Sequence, residues 1–487
     1  MSSVESKLLI YEKSAPGRRG YSLPETERPA GDIMAAIPEK FRRTADAMLP
    51  EASEGEVMRH FVGLSVKNHH IDKGFYPLGS CTMKYNPKAN EVAASLPGFR
   101  SLHPLAPDDS VQGILQVMYD LKSYLKEVSG FAALSLQPVA GAHGEFAGLL
   151  VMQAYHRKNG QMQRTKIIIP DSAHGTNPAS VAALGWSTVQ IKSNENGVIT
   201  PEAVAAVMDD TVAGMMTTNP NTLGLFEKYC KEIADVVHAG GGLMYMDGAN
   251  LNANMGIFRP ADVGFDIMHF NLHKTFSTPH GGGGPGAGAV GVTAELDRFL
   301  PCPVLQKSEQ GEYYFDYDRP DSIGRMHSFY GNVGNMIRAY AYIKSLGGEG
   351  LRTASENAVL NANYLKALLK NDFDLPYSAH CMHEFVISGN RQKKLGVKTL
   401  DISKRLLDFG VHSPTNYFPL IVPEAMMIEP TETESRETLE QFAAIMKQIA
   451  REAETDPDLV KNAPYDTPVR RLDEAGAART LDIQYTG

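Results

Sequence analysis

Between residues 165 and 292 the chain repeats one pattern, a short apolar run followed by a segment with helical spacing. The apolar runs are TKIIIP (165–170), WSTVQI (186–191), VAGMMTT (212–218), GLMYMD (242–247), FDIMHFN (265–271) and GAGAVGV (286–292). Between them PEAVAAVMDD and EKYCKEIADVVHAG read as helices. Continuous apolar strands separated by helices imply an α/β fold, with a mostly parallel sheet covered on both faces. Upstream, Val111, Ile114, Leu115, Met118, Leu121, Leu125 and Val128 fall on a 3.6-residue period, so 111–130 is expected to be a helix closed by Gly130.

The pattern changes near residue 345. A helix at 351–369, a strand in HEFVISG, a helix near 400–408 and a long helix around 434–454 suggest a smaller α+β unit. Residues 1–105 are rich in Pro, Gly and charge and read as an irregular, extended N-terminal arm. The expected organisation is therefore an arm (1–105), a large domain (106–345), a small C-terminal α+β domain (346–455) and a tail (456–487).

Composition narrows the function classes. With 43% apolar and 21% charged residues the 487-residue chain can form a sizeable core. A net charge of −9 argues against a nucleic-acid scaffold. Cys81, Cys230, Cys302 and Cys381 are scattered, which suits a reducing cytoplasm and indicates neither a zinc site nor a disulfide framework. Charges at Glu5, Lys7, Glu12 and Lys13 interrupt any signal-peptide core, and no run of about 18 apolar residues reads as membrane-spanning. His69, His70 and Asp72 lack a third ligand at metal spacing, so no metal is expected.

In an open parallel sheet, ligands bind beyond the carboxyl ends of the strands. Four segments fall there. VAGAHGEFAGLL (139–150) enters a helix through Gly141, Ala142, His143 and Gly144, which suits a phosphate cradle or an ordinary helix start. DSAHGTNPAS (171–180) puts His174 in a loop, where it can stack on a planar ring, relay protons or simply cap a turn. GGGLMYMDGAN (240–250) ends an apolar strand on Asp247, a carboxylate that needs a positive partner or a donor, with Ala249 small enough to lie under a ring. NLHKTFSTPHGGGGPGAG (271–288) sets Lys274 and Thr275 ahead of a glycine run. A lysine amine beside apolar sequence can condense with an aldehyde, or the residue can be a solvated loop lysine.

Singly each segment has a commonplace alternative. Together they supply what pyridoxal 5'-phosphate (PLP) requires: a phosphate cradle, a planar partner, a carboxylate for the ring nitrogen and a lysine for the aldehyde. Lys274 is the expected aldehyde-binding lysine, with the glycine run as room for cofactor and substrate. Two GxGxxG matches, at Gly281, Gly283 and Gly286 and at Gly286, Gly288 and Gly291, precede a strand instead of following one, so neither reads as a dinucleotide site.

The same segments carry a family resemblance. LLIYEKSAPGRRGYSLP, YPLGSCTMKYNPK, QPVAGAHGEFAGL, DSAHGTNPASVA, TNPNTLGLFE, MDGANLNA, FNLHKTFSTPHGGGGPG, SIGRMHSFYGN and TPVRRLDEAGAAR together resemble the P-protein family of the glycine cleavage system, in the second chain of its split form. The resemblance implies a type I PLP-dependent transferase fold. It implies that Lys274 holds the cofactor, Asp247 pairs with the ring nitrogen and His174 stacks on the ring. Where the family's cradle often has glutamine this chain has His143, so backbone donation from Ala142 and His143 is expected there. Asn219 or Thr222 would reach the ring oxygen or the phosphate.

The implied activity is that of an oxidoreductase, glycine dehydrogenase (aminomethyl-transferring). Glycine is decarboxylated and its aminomethyl group passes to the lipoylated H protein, with Lys274 and His174 as proton shuttles. The implied partner is a homologous subunit 1, two of each chain, with the N-terminal arm laid along it. From residue chemistry alone another fold-type I enzyme, such as an amino-acid decarboxylase or aminotransferase, fits equally well. Arg325 and His327 are candidates for the glycine carboxylate or for a structural turn.

Overall fold

The computed structural model describes residues 8–22, 29–45, 47–280 and 286–483. The chain divides into two compact units, one ending at Lys73 and one beginning at Gly74. In the first unit the stretch read as irregular carries two α-helices, Ala30–Ala36 and Glu54–Ser65. The second is started by a capping box, in which Ser53 and Glu56 satisfy each other's backbone N–H groups. It buries none of its residues, and its apolar side chains Met58, Phe61 and Val62 are exposed.

In the second unit, seven strands form the main sheet among the described residues. They are β1 (Ala133–Ser135), β2 (Lys166–Pro170), β3 (Ser187–Ile191), β4 (Val212–Thr218), β5 (Leu243–Gly248), β6 (Ile267–Asn271) and β7 (Gly288–Val292), in the order β1-β7-β6-β5-β4-β2-β3. From β3 to β6 all pairings are parallel, whereas β7 runs antiparallel to both neighbours. Both faces are covered, as the unbroken apolar runs require. Met244, Met246 and Met268 pack with Leu115, Met118 and Leu121 of helix Gln112–Ser129. Tyr245 and Ile267 point the other way, to Ala147, Val151 and Met152 of helix Gly141–Lys158. The helix expected at 111–130 ends where predicted, on Gly130 in the left-handed region (φ 82°).

Three elements differ from expectation. The helix read over 201–210 stops at Ala205, and Asp209 folds back on the Thr211 backbone N–H. The helix read over 351–369 begins at Val333, with one non-helical residue at Gly347, because the GGEG run hides the continuity. A hairpin of β8 (Val304–Lys307) and β9 (Tyr313–Asp316) was not foreseen.

Downstream, β10 (Phe385–Ser388), β11 (Thr415–Asn416) and β12 (Ala425–Ile428) make a three-stranded antiparallel sheet. Helix Arg436–Thr455 contributes Leu439, Phe442, Met446 and Ile449 to its core. No helix among the described residues is long and apolar enough to cross a membrane.

Candidate active site

Strand register brings the chemistry together. Thr218, Asp247 and His269 are direct partners across β4, β5 and β6, near the carboxyl ends of these parallel strands. One cleft opens there, enclosing about 680 Å³ that is partly open to solvent. Of the residues singled out from sequence, Gly141, Ala142, His174, Thr222, Asp247, Ala249 and Lys274 line it. Lys274 sits in a single helical turn, Leu272–Thr275, that follows β6 directly. The chain then returns as β7, antiparallel to β6, so the turn that carries the lysine lies at the carboxyl end of β6.

Asp247 is buried, and both of its oxygens have partners. Oδ2 accepts from Asn177 Nδ2 (3.0 Å), and Oδ1 accepts from the Ala249 N–H (3.1 Å). Oδ1 also lies 3.3 Å from His269 Nε2. Burial pushes the Asp247 carboxyl up, but His269, the Asn177 hydrogen bond and the nearby Lys274 outweigh it and hold the group below its ordinary value. Burial holds the His269 imidazole below its ordinary value, against the pull of Asp247. Its Nδ1 lies 3.0 Å from the Tyr245 hydroxyl, which can donate to it, leaving Nε2–H for Asp247. A second carboxyl, Glu145, accepts from Thr176 (2.9 Å) and Asn177 (3.2 Å) and is pushed up to about 7 by burial and by the charge of Asp247. Asp247 therefore stays ionised beside a neighbour that readily carries a proton.

At the opposite wall, helix Gly141–Lys158 points its amino end into the cleft, with no acidic residue in its first turn. Gly141 is required by space, because a Cβ there would overlap the Asn271 side chain. Asn271 lines the cleft, and its buried Oδ1 has no hydrogen-bond partner among the described residues. His174 accepts from the Thr176 N–H through Nδ1 (3.3 Å) and meets Phe418 edge-on at 5.6 Å. Burial holds its imidazole below the usual range.

Four sequence candidates point elsewhere. His143 Nδ1 accepts from the Val139 N–H (3.2 Å), so the ring folds back on its own helix start. Asn219 Oδ1 accepts from the Glu227 N–H (3.0 Å) within its own loop. Thr275 Oγ1 accepts from the Leu251 N–H (2.8 Å). His327 lines a neighbouring cavity with His103, His273 and His280. The glycine run 281–284, read as room for cofactor and substrate, lies outside the described residues. Sequence reasoning missed Glu145, His269, Asn271, Ser80, His383 and Glu384, all of which line the cleft. For His269 a signal existed: Asp247 is the sixth residue of GLMYMD (242–247) and His269 the fifth of FDIMHFN (265–271), so the two stand at similar depth in runs that pair in parallel.

The donor set fits PLP. An anion-accepting helix start, an ionised buried carboxyl, an imidazole and a lysine amine share one cleft, and Gly141 keeps the wall open where a Cβ would close it. The comparison with solved structures defines the class first. A glycine decarboxylase (P-protein) of the glycine cleavage system, solved in inhibitor-bound form, covers 88% of this chain and all (100%) of its own at TM-score 0.73 and 19% identity. Glutamate decarboxylase of Lactobacillus brevis covers 87% of this chain and 97% of its own at TM-score 0.65 and 13% identity. These likenesses show the fold, which is that of the type I PLP-dependent enzymes.

Sequence comparison then gives the family. Residues 30–313 match the glycine cleavage system P-protein family, and residues 354–467 match the glycine dehydrogenase C-terminal domain. A protein of Chloroherpeton thalassium called probable glycine dehydrogenase (decarboxylating) subunit 2 is 58% identical over 481 residues, covering 98% of this chain and 97% of its own. One of the same description from Bacillus velezensis is 56% identical over 481 residues, covering 99% and 98%. The chain belongs to the glycine cleavage system P-protein family, the glycine dehydrogenases (decarboxylating).

Proposed function

We propose that this chain binds PLP, decarboxylates glycine and transfers the aminomethyl group to the oxidised lipoyl arm of the H protein. The observation that carries the reading is the convergence of Lys274, Asp247 and the Gly141–Ala142 helix start in one cleft. Lys274 would hold the cofactor through its amine, and Asp247 would pair with the ring nitrogen. Backbone N–H groups at Gly141, Ala142 and His143 would face the phosphate, while His174 and Ala249 would bracket the ring. When bound, the cofactor supplies an aldehyde for amines and a protonated ring that draws off the electron pair released with CO2.

The chain's own residues set the conditions for that chemistry. Asp247, held ionised by Asn177 and His269, keeps a proton on whatever base it faces. His174, whose ring is held below its ordinary pKa, is placed to accept a proton within the cleft, and Lys274 can do so once displaced. Thr222 anchors the loop after β4 by donating to the Ser172 carbonyl (2.5 Å). Asn219 and Thr275 act as supports of that wall and not as contacts to the phosphate.

The partner in this reading is a homologous subunit 1, in an assembly of two of each chain. Exposed Met58, Phe61 and Val62 on the uncovered helix Glu54–Ser65 suit a subunit contact in the first unit. The four cysteines are all free, which fits a cytoplasmic site of action.

Borohydride reduction of the PLP-loaded protein, followed by peptide mapping, should label Lys274 and be lost in Lys274→Ala. The wild-type chain with subunit 1 and lipoylated H protein should exchange labelled bicarbonate into glycine. A label on another lysine would overturn the cofactor assignment, and robust transamination without exchange would overturn the glycine assignment.

A further inference from the structure

One group of buried titratable side chains in the cleft has no part in the cofactor-binding set. Glu384 and His383, just before β10, line the cleft beside Lys274. Glu429 follows β12 and lies behind them. One oxygen of each carboxyl and one ring nitrogen of His383 fall within 4.8 Å of one another. All three are buried, with Glu384 and His383 exposing 4% and 2% of their surface and Glu429 0%. Two carboxylates this close and this dry cannot both ionise cheaply, so the pair keeps a proton.

The hydrogen bonds decide which carboxyl keeps it. Glu429 accepts three: from the Thr82 N–H (2.8 Å), the Thr82 hydroxyl (2.8 Å) and Asn250 Nδ2 (3.0 Å). That many donors favour the charged form. Among the described residues Glu384 accepts one, from the Ser80 N–H through Oε2 (2.7 Å), which leaves Oε1 for the proton. His383 stands 3.8 Å from that oxygen, and neither of its ring nitrogens has a hydrogen-bond partner among the described residues. The proton thus rests on the carboxyl that faces the cleft.

The backbone holds Glu384 in place. The Met382 N–H donates to the Gly224 carbonyl (2.7 Å), and Gly224, at φ +76°, lies so close to the Glu384 carbonyl that a Cβ could not be accommodated. Ser80 and Thr82, the residues that donate to the two carboxyls, both sit in the left-handed region (φ 63° and 50°). That conformation is unusual outside glycine.

We propose that Glu384 is the proton donor for the sulfur that leaves during aminomethyl transfer, with Glu429 as its charged partner. This rests on the lipoyl reading given above. In that step the C–COO bond of glycine breaks and leaves its electron pair on the aminomethyl carbon. That pair forms a C–S bond to one sulfur of the lipoyl disulfide. The S–S bond breaks, its electrons go to the second sulfur, and this sulfur takes the Glu384 proton to become a thiol. The disulfide is reduced, the glycine carbon is oxidised as CO2, and one proton is consumed, which Glu384 regains from solvent.

Burial, together with the charge of Glu429, pushes Glu384 up to about 8, so the donor is protonated at neutral pH. The other titratable groups that face the pair are Lys274 from the turn after β6, Cys81 from the loop before Thr82, and Cys381 from the approach to β10. Burial pushes both thiols up, to about 11 for Cys381, so neither competes as an anion at neutral pH. The charge of Glu432 also acts on His383, which burial holds down to about 3, so that its ring is neutral there.

The test uses PLP-loaded wild type, Glu384→Gln and Glu384→Asp, each with subunit 1 and lipoylated H protein. Glutamine keeps an acceptor for the Ser80 N–H but has no proton to give. Aminomethyl transfer should fall by about a hundredfold or more in Glu384→Gln, with partial rescue in Glu384→Asp. Wild-type kcat should decline as pH rises through the Glu384 titration, and that limb should be missing from the residual activity of Glu384→Gln. Independently of turnover, the difference infrared spectrum between wild type and Glu384→Gln near pH 7 should show a protonated-carboxyl stretch in wild type beyond that of Glu145, which both proteins share. Full transfer activity in Glu384→Gln with an unchanged pH profile, or no such stretch in wild type, would overturn the assignment. Failure of wild type itself to form aminomethylated H protein would overturn the underlying lipoyl reading instead.

Discussion

Replacing Lys84 by methionine tests how the lysine-bearing turn is held. Lys84 Nζ is buried and donates to Glu432 Oε1 (2.7 Å), the Thr275 carbonyl (2.7 Å), Asn252 Oδ1 (3.0 Å) and the Tyr342 hydroxyl (3.2 Å). Thr275 adjoins Lys274, so this ammonium ties the turn that carries Lys274 to the segment that follows β12. In wild type, burial pushes Glu432 up, but Lys84 more than offsets it and holds the carboxyl below its ordinary 4.5. Lys84→Met strands that carboxylate, which keeps the side chains of Asn252 (3.0 Å) and Tyr342 (3.2 Å) as donors but loses its cation.

Breaking a buried pair from one side costs about 3–5 kcal/mol. Glu432 can escape by taking a proton, and that sets a ceiling. From the ordinary value of 4.5, protonation at pH 7.5 costs about 4 kcal/mol, and at pH 6 about 2 kcal/mol, at 1.36 kcal/mol per unit. The sign follows from linkage. In the variant the folded-state pKa of Glu432 is raised, so the folded protein binds more protons than the unfolded one and loses stability as pH rises. In wild type the folded pKa is lowered, so the Glu432 contribution is present above 4.5 and is lost as pH falls through the folded value.

Urea unfolding followed by the fluorescence of Trp186, the chain's one tryptophan, should therefore show a variant deficit about 2 kcal/mol larger at pH 7.5 than at pH 6. Lys84→Met/Glu432→Gln should recover much of the loss and abolish its pH dependence. An equal deficit at both pH values would refute the reasoning, since a simple packing defect does not titrate.

Gly141→Ala should weaken PLP binding at least tenfold, or about 1.4 kcal/mol, because its Cβ displaces Asn271 at the cradle; absorbance titration of the apo-protein would show it. Asn219→Ala should leave PLP affinity little changed but destabilise the fold by about 1–3 kcal/mol. The cause is a buried Glu227 N–H (3.0 Å from Asn219 Oδ1) left without its acceptor; parallel thermal melts and cofactor titrations separate the two effects.

The sequence by itself determined the sheet. Six runs became six of its strands: five are buried, because a run without polar residues is stable only with both faces covered, and the more polar WSTVQI forms the exposed edge strand β3. It also determined which residue types end those strands, and hence Lys274, Asp247 and His174. Tertiary structure decided what those residues meet. His269 reads as one histidine in an apolar run until parallel register sets it beside Asp247. Asn219 and Thr275 carry suitable groups, but loop geometry turned them to backbone N–H groups that would otherwise be buried without an acceptor. Glu384 and Glu429 stand 45 positions apart on segments flanking an antiparallel pair, and only folding brings them close enough to share a proton. Local pattern records burial and chain direction. Contacts between distant segments depend on register and side-chain aim, which no short window of sequence contains.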